Sequence, residues 1–211
     1  MEKIDYKKQF KELYDPKTTP MLIDVPEMTF IAVDGRGNPN DKDGEYQAAV
    51  EAIYALAYTI KMAPKSNIDI EGYRDYVMPP LEGLWWLSDF TDFSGDKSKY
   101  CWTSMVRQPD FVTKEVFELA KALVKKKKPG LDTSKARLLA FTEGLCVQCM
   151  HIGPFDDEPA TLAKMKGYME QNGLACDLSD TRKHHEIYSS DPRKADITKM
   201  RTILRYPVRR K

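Results

Sequence analysis

Two short stretches carry residue types that could do chemistry. The first, LEGLWWLSDF (Leu81–Phe90), holds a carboxylate, Glu82, and two adjacent tryptophans, Trp85 and Trp86. The second, HHEIYSSDP (His184–Pro192), repeats the theme with His184, Glu186 and Tyr188: a carboxylate, an aromatic, then Ser-Asp. Aromatic side chains bind flat polycyclic surfaces by stacking. A carboxyl buried among such rings holds its proton more tightly, which suits it to take a proton from water near neutral pH. The combination describes a site for a planar aromatic ligand with a carboxylate that positions or deprotonates water. The competing readings are structural: Glu186 as a buried ion-pair partner of His184 or Arg205, and the tryptophans as plain core.

Strand periodicity decides which of these side chains meet. Glu82, Leu84 and Trp86 share one face of the first strand; His184, Glu186 and Tyr188 share one face of the second. Matching Ser88-Asp89 to Ser190-Asp191 sets Trp86 against Tyr188 and Leu84 against Glu186. This alignment predicts a cleft lined by Trp86, Tyr188, Glu82 and Glu186, with Trp85 and Ile187 turned under helices.

The elements that must hold these strands form a repeat. A strand in EMTFIAVDGRG leads to a helix in EYQAAVEAIYALAYTIKM, the strand LEGLWWLSD, a turn FTDFSGDKS and the strand YCWTSMVRQP. A helix follows Thr113, a candidate N-cap, and ends in a lysine run before Pro129-Gly130, where cations suit the helix dipole. The pattern then recurs: ARLLAFTEGLCVQCMHIGPF as a long strand or hairpin, EPATLAKMKGYMEQNG as a helix stopping at Gly173, then HHEIYSSD and TILRYPV as strands. Arg-x-Pro recurs at Arg107–Pro109 and Arg205–Pro207. The fold class expected is therefore α+β: duplicated strand–helix–strand–strand units, an antiparallel sheet with helices on one side, and a cleft between the copies. The expected division is a leader over 1–26, a first repeat over 27–112, a bridging helix over 113–130 and a second repeat over 136–211, all within one domain.

Composition narrows the function class. The 211 residues are 42% hydrophobic and 31% charged, enough for a buried core, and 33 basic against 32 acidic residues leave a net charge of +1. That balance argues against a nucleic-acid partner. No apolar run approaches a membrane span and the N-terminus lacks a signal-peptide core, so the expected location is the cytoplasm, with no membrane partner. Cys146 and Cys149 form a Cys-x-x-Cys without a second pair to complete a four-thiolate zinc site, and they read as strand cysteines. Gly35-Arg36-Gly37 is a lone Gly-x-Gly, and His184 with Glu186 lacks a third metal ligand. No metal or cofactor is called for; the expected partner is a small aromatic ligand, with the chain a monomer or homodimer.

At LIDVPEMTFIAVDGRG, VMPPLEGLWW and HHEIYSSDP…ILRYPV the chain resembles the GyrI-like small-molecule-binding family, over residues from about 20 to the end. The family carries a Glu in a YEIY-like strand of its second copy, here HEIY with Glu186. The resemblance implies a ligand groove between the two copies. It is nearest to a stand-alone subfamily, some of whose members hydrolyse the cyclopropane of DNA-alkylating natural products within an aromatic cage and so protect the cell. Other members are drug sensors fused to DNA-binding domains, for which the residues before the first repeat leave no room. Together with the strand faces, the resemblance makes Glu186 and Tyr188 the expected catalytic residues and Trp86, Trp102, Phe155, Glu82 and His184 the expected ligand-binding ones. Two other readings stay open: a sequestering or sensing protein without turnover, and an interaction subunit whose cleft takes a partner helix.

Overall fold

The computed structural model describes residues 3–87, 96–190 and 195–211. Two short helical turns, α1 (Tyr6–Gln9) and α2 (Lys11–Tyr14), precede β1 (Met21–Arg36), α3 (Glu45–Lys61), β2 (Leu81–Leu87) and β3 (Tyr100–Arg107). Helix α4 (Lys114–Lys127) leads to β4 (Arg137–Ile152), α5 (Glu158–Gln171), a short β5 (Leu174–Cys176), β6 (His184–Tyr188) and β7 (Arg201–Arg210). Strand–helix–strand–strand thus occurs twice, and the two copies make equivalent ladders. β1 pairs with β3 as β4 does with β7, and β2 with β3 as β6 with β7. The copies join through antiparallel β1–β4 and β2–β6 ladders, which closes six strands into a barrel-like sheet, with β5 added at the end of β7.

Alternation along each strand sorts the core into two sides. On the outer side, Ile31, Val33, Trp85 and Trp102 pack under α3 and α4, and Val147, Cys149 and Leu204 under α5. On the inner side, Phe30, Ala32, Leu84, Cys146, Ile187 and Ile203 meet Leu13 and Tyr14 of the N-terminal segment. Cys146 and Cys149 therefore point to opposite sides, as strand cysteines do. Thr113 caps α4, accepting a hydrogen bond from the Val116 amide at 3.4 Å.

One boundary differs from expectation. β1 begins at Met21 rather than Glu27 and runs through Pro26, because the ladder skips that residue: Val25 pairs with Gly144 and Glu27 with Thr142, so no N–H is needed between them. Of the two forms expected for β4, the structure has the long strand and not the hairpin. Gly144, at φ +68°, interrupts its alternation and turns Glu143 to the inner side, against the parity it would share with Val147. The Ser88-Asp89 anchor and the turn through residue 95 lie outside the described residues, as does Asp191.

Candidate functional site

A cavity of about 1670 Å³ opens between α3 of the first copy and the start of α5 in the second. Its floor is the outer face of the β2–β6 ladder, where the two copies meet. Residues directly opposite one another in that ladder share a face. Leu81 lies opposite Tyr188, Gly83 opposite Glu186 and Trp85 opposite His184. Trp85, not Trp86, is therefore the tryptophan beside Glu186 and Tyr188. The Ser-Asp match assigned the faces backwards. An anchor beyond the strand end carries no register information, and a slip by an odd number of residues exchanges the faces.

Three side chains on this floor form a directed relay. The Trp85 indole N–H donates to the Tyr188 hydroxyl at 2.9 Å, and Tyr188 donates to Glu186 Oε2 at 2.8 Å. Gly83 makes room for it: a Cβ there would stand 2.6 Å from Trp85 Nε1 and 3.2 Å from the Tyr188 oxygen. The other carboxylate oxygen, Oε1, lies 3.3 Å from His184 Nε2. His184 Nδ1 faces the Arg205 carbonyl at 3.1 Å, so that nitrogen carries a proton, and Nε2 donates to Glu186 only in the doubly protonated ring. Glu186 thus accepts from Tyr188 at Oε2 and faces His184 at Oε1, its side chain 15% exposed, with lone pairs left for a water or ligand. Burial, then the Glu186 charge, holds the Tyr188 phenol well above its ordinary range, so the relay keeps its direction.

Aromatic rings wall the floor. Tyr46 of α3 lies 5.5 Å from Trp85, Tyr100 of β3 lies 6.1 Å away edge-on, and Phe155 meets Tyr188 edge-on at 5.9 Å. Phe155, at 40% exposure, sits at the rim. Periodicity explains the α3 contribution: Tyr46, Val50 and Tyr54 follow at helical spacing and line the cavity. A second carboxyl, Glu158, enters from the first turn of α5. It is buried, and its Oε1 has no hydrogen-bond partner among the described residues. Burial, reinforced by the Glu186 charge, pushes it well above the usual carboxylate range.

Of the residues expected in the site, Glu186, Tyr188, His184 and Phe155 line this cavity. Trp86, Glu82 and Trp102 do not. Trp86 faces the inner side, with the Lys183 ammonium 4.7 Å above its ring. Trp102 is fully buried and supports Tyr46 edge-on at 5.0 Å from below. Glu82 belongs to a separate buried cluster. His185 sits between Glu143 at 2.9 Å and Glu82 at 3.0 Å, the latter a charge contact rather than an aligned hydrogen bond. Arg205 binds Glu143, Gln148 and the Leu13 carbonyl, and Tyr14 donates to Glu82. This cluster ties the N-terminal segment onto the inner face of the barrel.

Trp85, Tyr46, Gly83 and Glu158 were missed from sequence. Gly83 precedes Trp85 by two residues, which on a strand places it on the same face. Glu158 resembled an ordinary first-turn carboxylate, the type that stabilises a helix N-terminus in any exposed helix.

Comparison with known proteins agrees with this architecture. A structure described as a hydrolase from Listeria innocua is 52% identical, covering 98% of this chain and 100% of its own, with a TM-score of 0.89. An uncharacterized conserved protein from the same organism is 53% identical over 98% of this chain and 100% of its own, at 0.93. The C-terminal domain of EcmrR shares the fold, at 13% identity over 92% of this chain and 98% of its own, with a TM-score of 0.54. No curated protein matches. The model of the GyrI-like small molecule binding domain matches residues 18–209. With nearly its whole length matched, this chain belongs to the GyrI-like small-molecule-binding family.

Proposed function

We propose that the chain binds bulky planar aromatic electrophiles in this cavity and hydrolyses them, with the cyclopropane of spiro-fused dienones, the reactive group of cyclopropanoid DNA-alkylating toxins, as the bond opened. Such hydrolysis would protect the cell. The observation that carries this reading is the Trp85–Tyr188–Glu186 relay on the floor of an aromatic-walled cavity. The relatives described as hydrolases, at just over half identity, support an enzyme.

The chemistry asks little of the protein. Water attacks the cyclopropyl carbon, the strained ring opens, and the dienone becomes a phenol. Strain and aromatisation supply the driving force; the site must hold the flat substrate, orient one water and take its proton. Trp85, Tyr46 and Phe155 offer the stacking surface. Glu186 accepts the proton. Tyr188 is a positioning residue, because its single O–H is already given to Glu186 and its oxygen accepts from Trp85. His184 stands beside the second carboxylate oxygen.

The test is stoichiometric. Incubation with an excess of a spirocyclopropyl dienone should yield phenolic alcohol well beyond one equivalent of protein. Saturation at one equivalent would instead make the chain a sequestering protein.

A further inference from the structure

We propose that Glu158 is the acid of this site: it presents its carboxyl hydroxyl to a carbonyl oxygen of the bound ligand and protonates that oxygen as the ring opens, while Glu186 handles the water. The inference rests on the hydrolytic reading above and adds a second reacting side chain to it.

Three observations converge. First, the site needs a proton donor that Tyr188 cannot supply while its only hydroxyl hydrogen is bound to Glu186. Second, Glu158 lines the same cavity, is only 9% exposed, and holds one oxygen that no described group satisfies. An unsatisfied buried polar atom is rare and calls for a partner, and a ligand oxygen in the cavity would be one. Third, the surroundings favour the neutral form of the carboxyl. The charged or titratable groups around it are Glu186 and Tyr188 on β6, Tyr100 on β3, Lys97 in the turn before β3, and Asp156 beside it. Lys97 and the helix N-terminus favour its ionised form. Lys97, however, lies 3.8 Å from the exposed Asp156 carboxylate, and burial with the nearby Glu186 charge prevails.

The step balances. The water oxygen bonds to the cyclopropyl carbon and gives its proton to Glu186. The bond from that carbon to the spiro centre breaks, and its electron pair passes through the dienone to the carbonyl oxygen. That oxygen takes the Glu158 proton and becomes the phenol. The proton on Glu186 then returns to Glu158, directly or through solvent, and the net change is addition of one water. The ligand class implied is a planar aromatic whose conjugated carbonyl lies at the α5 end of the cavity. A neutral carboxyl that gives a proton beside a carboxylate that takes one is the usual arrangement for an acid–base pair.

The experiment uses unreactive probes, so that it does not depend on turnover. Dissociation constants for 9-fluorenone and fluorene, which differ by the carbonyl, would be measured between pH 6 and pH 10. Wild type should prefer the ketone about five- to tenfold at neutral pH, the worth of one hydrogen bond, and lose the preference toward alkaline pH. Glu158→Gln, whose amide N–H still donates, should keep a preference that no longer varies with pH; Glu158→Leu should abolish it. A ketone preference that is independent of pH in wild type, or retained in Glu158→Leu, overturns the proposal, and the wild-type pH series decides even if the leucine variant misfolds. Loss of the preference with Glu158 in a protein that turns over no dienone would sustain the carbonyl contact while sinking the hydrolysis. Turnover with no such preference would sink the Glu158 role alone.

Discussion

Tyr188 joins Trp85 to Glu186: its oxygen accepts the Trp85 N–H at 2.9 Å and its hydrogen goes to Glu186 at 2.8 Å. The stacking surface for a ligand and the base for a water are thereby one rigid unit across the seam between the two copies. Each member is fixed by the next, so single substitutions should affect binding and chemistry differently.

Trp85→Phe keeps a stacking ring but removes the N–H. Affinity for planar aromatics should fall by about 0.5–1.5 kcal/mol, while Trp86→Ala leaves affinity unchanged and lowers stability instead. Titration of each variant with fluorenone beside a thermal melt checks this. Equal losses of affinity in both would show that the cavity extends to the inner face.

Gly83→Ala places a methyl 2.6 Å from the indole nitrogen, well inside contact distance. The indole must move, which breaks the bond to Tyr188 and leaves both groups short of a partner. A cost of about 1–3 kcal/mol in stability is expected, with a larger fractional loss in ligand affinity than in secondary-structure content. A melting temperature and affinity equal to wild type would show that the close approach does not matter.

Tyr188→Phe should leave ligand affinity within about threefold of wild type but reduce single-turnover rate, since Glu186 then swings free of one anchor. An unchanged rate would remove Tyr188 from the positioning role.

The cluster on the inner face sets a pH dependence of its own. Burial alone would lower the His185 imidazole, but the Glu143 and Glu82 carboxylates outweigh it and raise His185 to about 9. Burial likewise opposes ionisation of Glu143, yet His185 and Arg205 hold it at about 2. A raised imidazole contributes stability that is complete below its unfolded value, about 6.5, and is lost as pH rises toward 9. A depressed carboxyl contributes stability above its ordinary value that is lost as pH falls toward 2. Denaturant midpoints should therefore fall on both sides of neutrality, and His185→Gln should flatten the alkaline limb while costing about 3–5 kcal/mol at pH 7. A wild-type midpoint that is constant from pH 6.5 to 9 would contradict this placement of charge.

The duplicated fold was legible because two independent signals agreed: helix periodicity at EYQAAVEAIYALAYTIKM and EPATLAKMKGYMEQNG, and β-rich strands in matching order around them. Glu186, Tyr188 and His184 were legible because they lie on one five-residue strand, where alternation alone fixes their common face. What alternation cannot give is the register between strands, and the choice between Trp85 and Trp86 depends on register alone. The start of β1 was hidden for a related reason: the strand was expected to begin after Pro26, whereas the ladder passes over that residue and pairs Val25 with Gly144. Glu158 was hidden because its significance comes from burial against another chain segment, which local sequence does not encode.

The central claim, that Glu186 takes the proton from an attacking water, is tested most directly by single-turnover kinetics of Glu186→Gln with a spirocyclopropyl dienone, run beside fluorenone affinity and a thermal melt. Gln is nearly isosteric and can still accept from Tyr188 and hold a water, but it cannot accept the water's proton. The expected result is a rate lowered by about 10²–10⁴-fold, with fluorenone affinity and melting temperature close to wild type. A wild-type rate in Glu186→Gln, or a rate that falls only in proportion to the loss of folded protein, would contradict it.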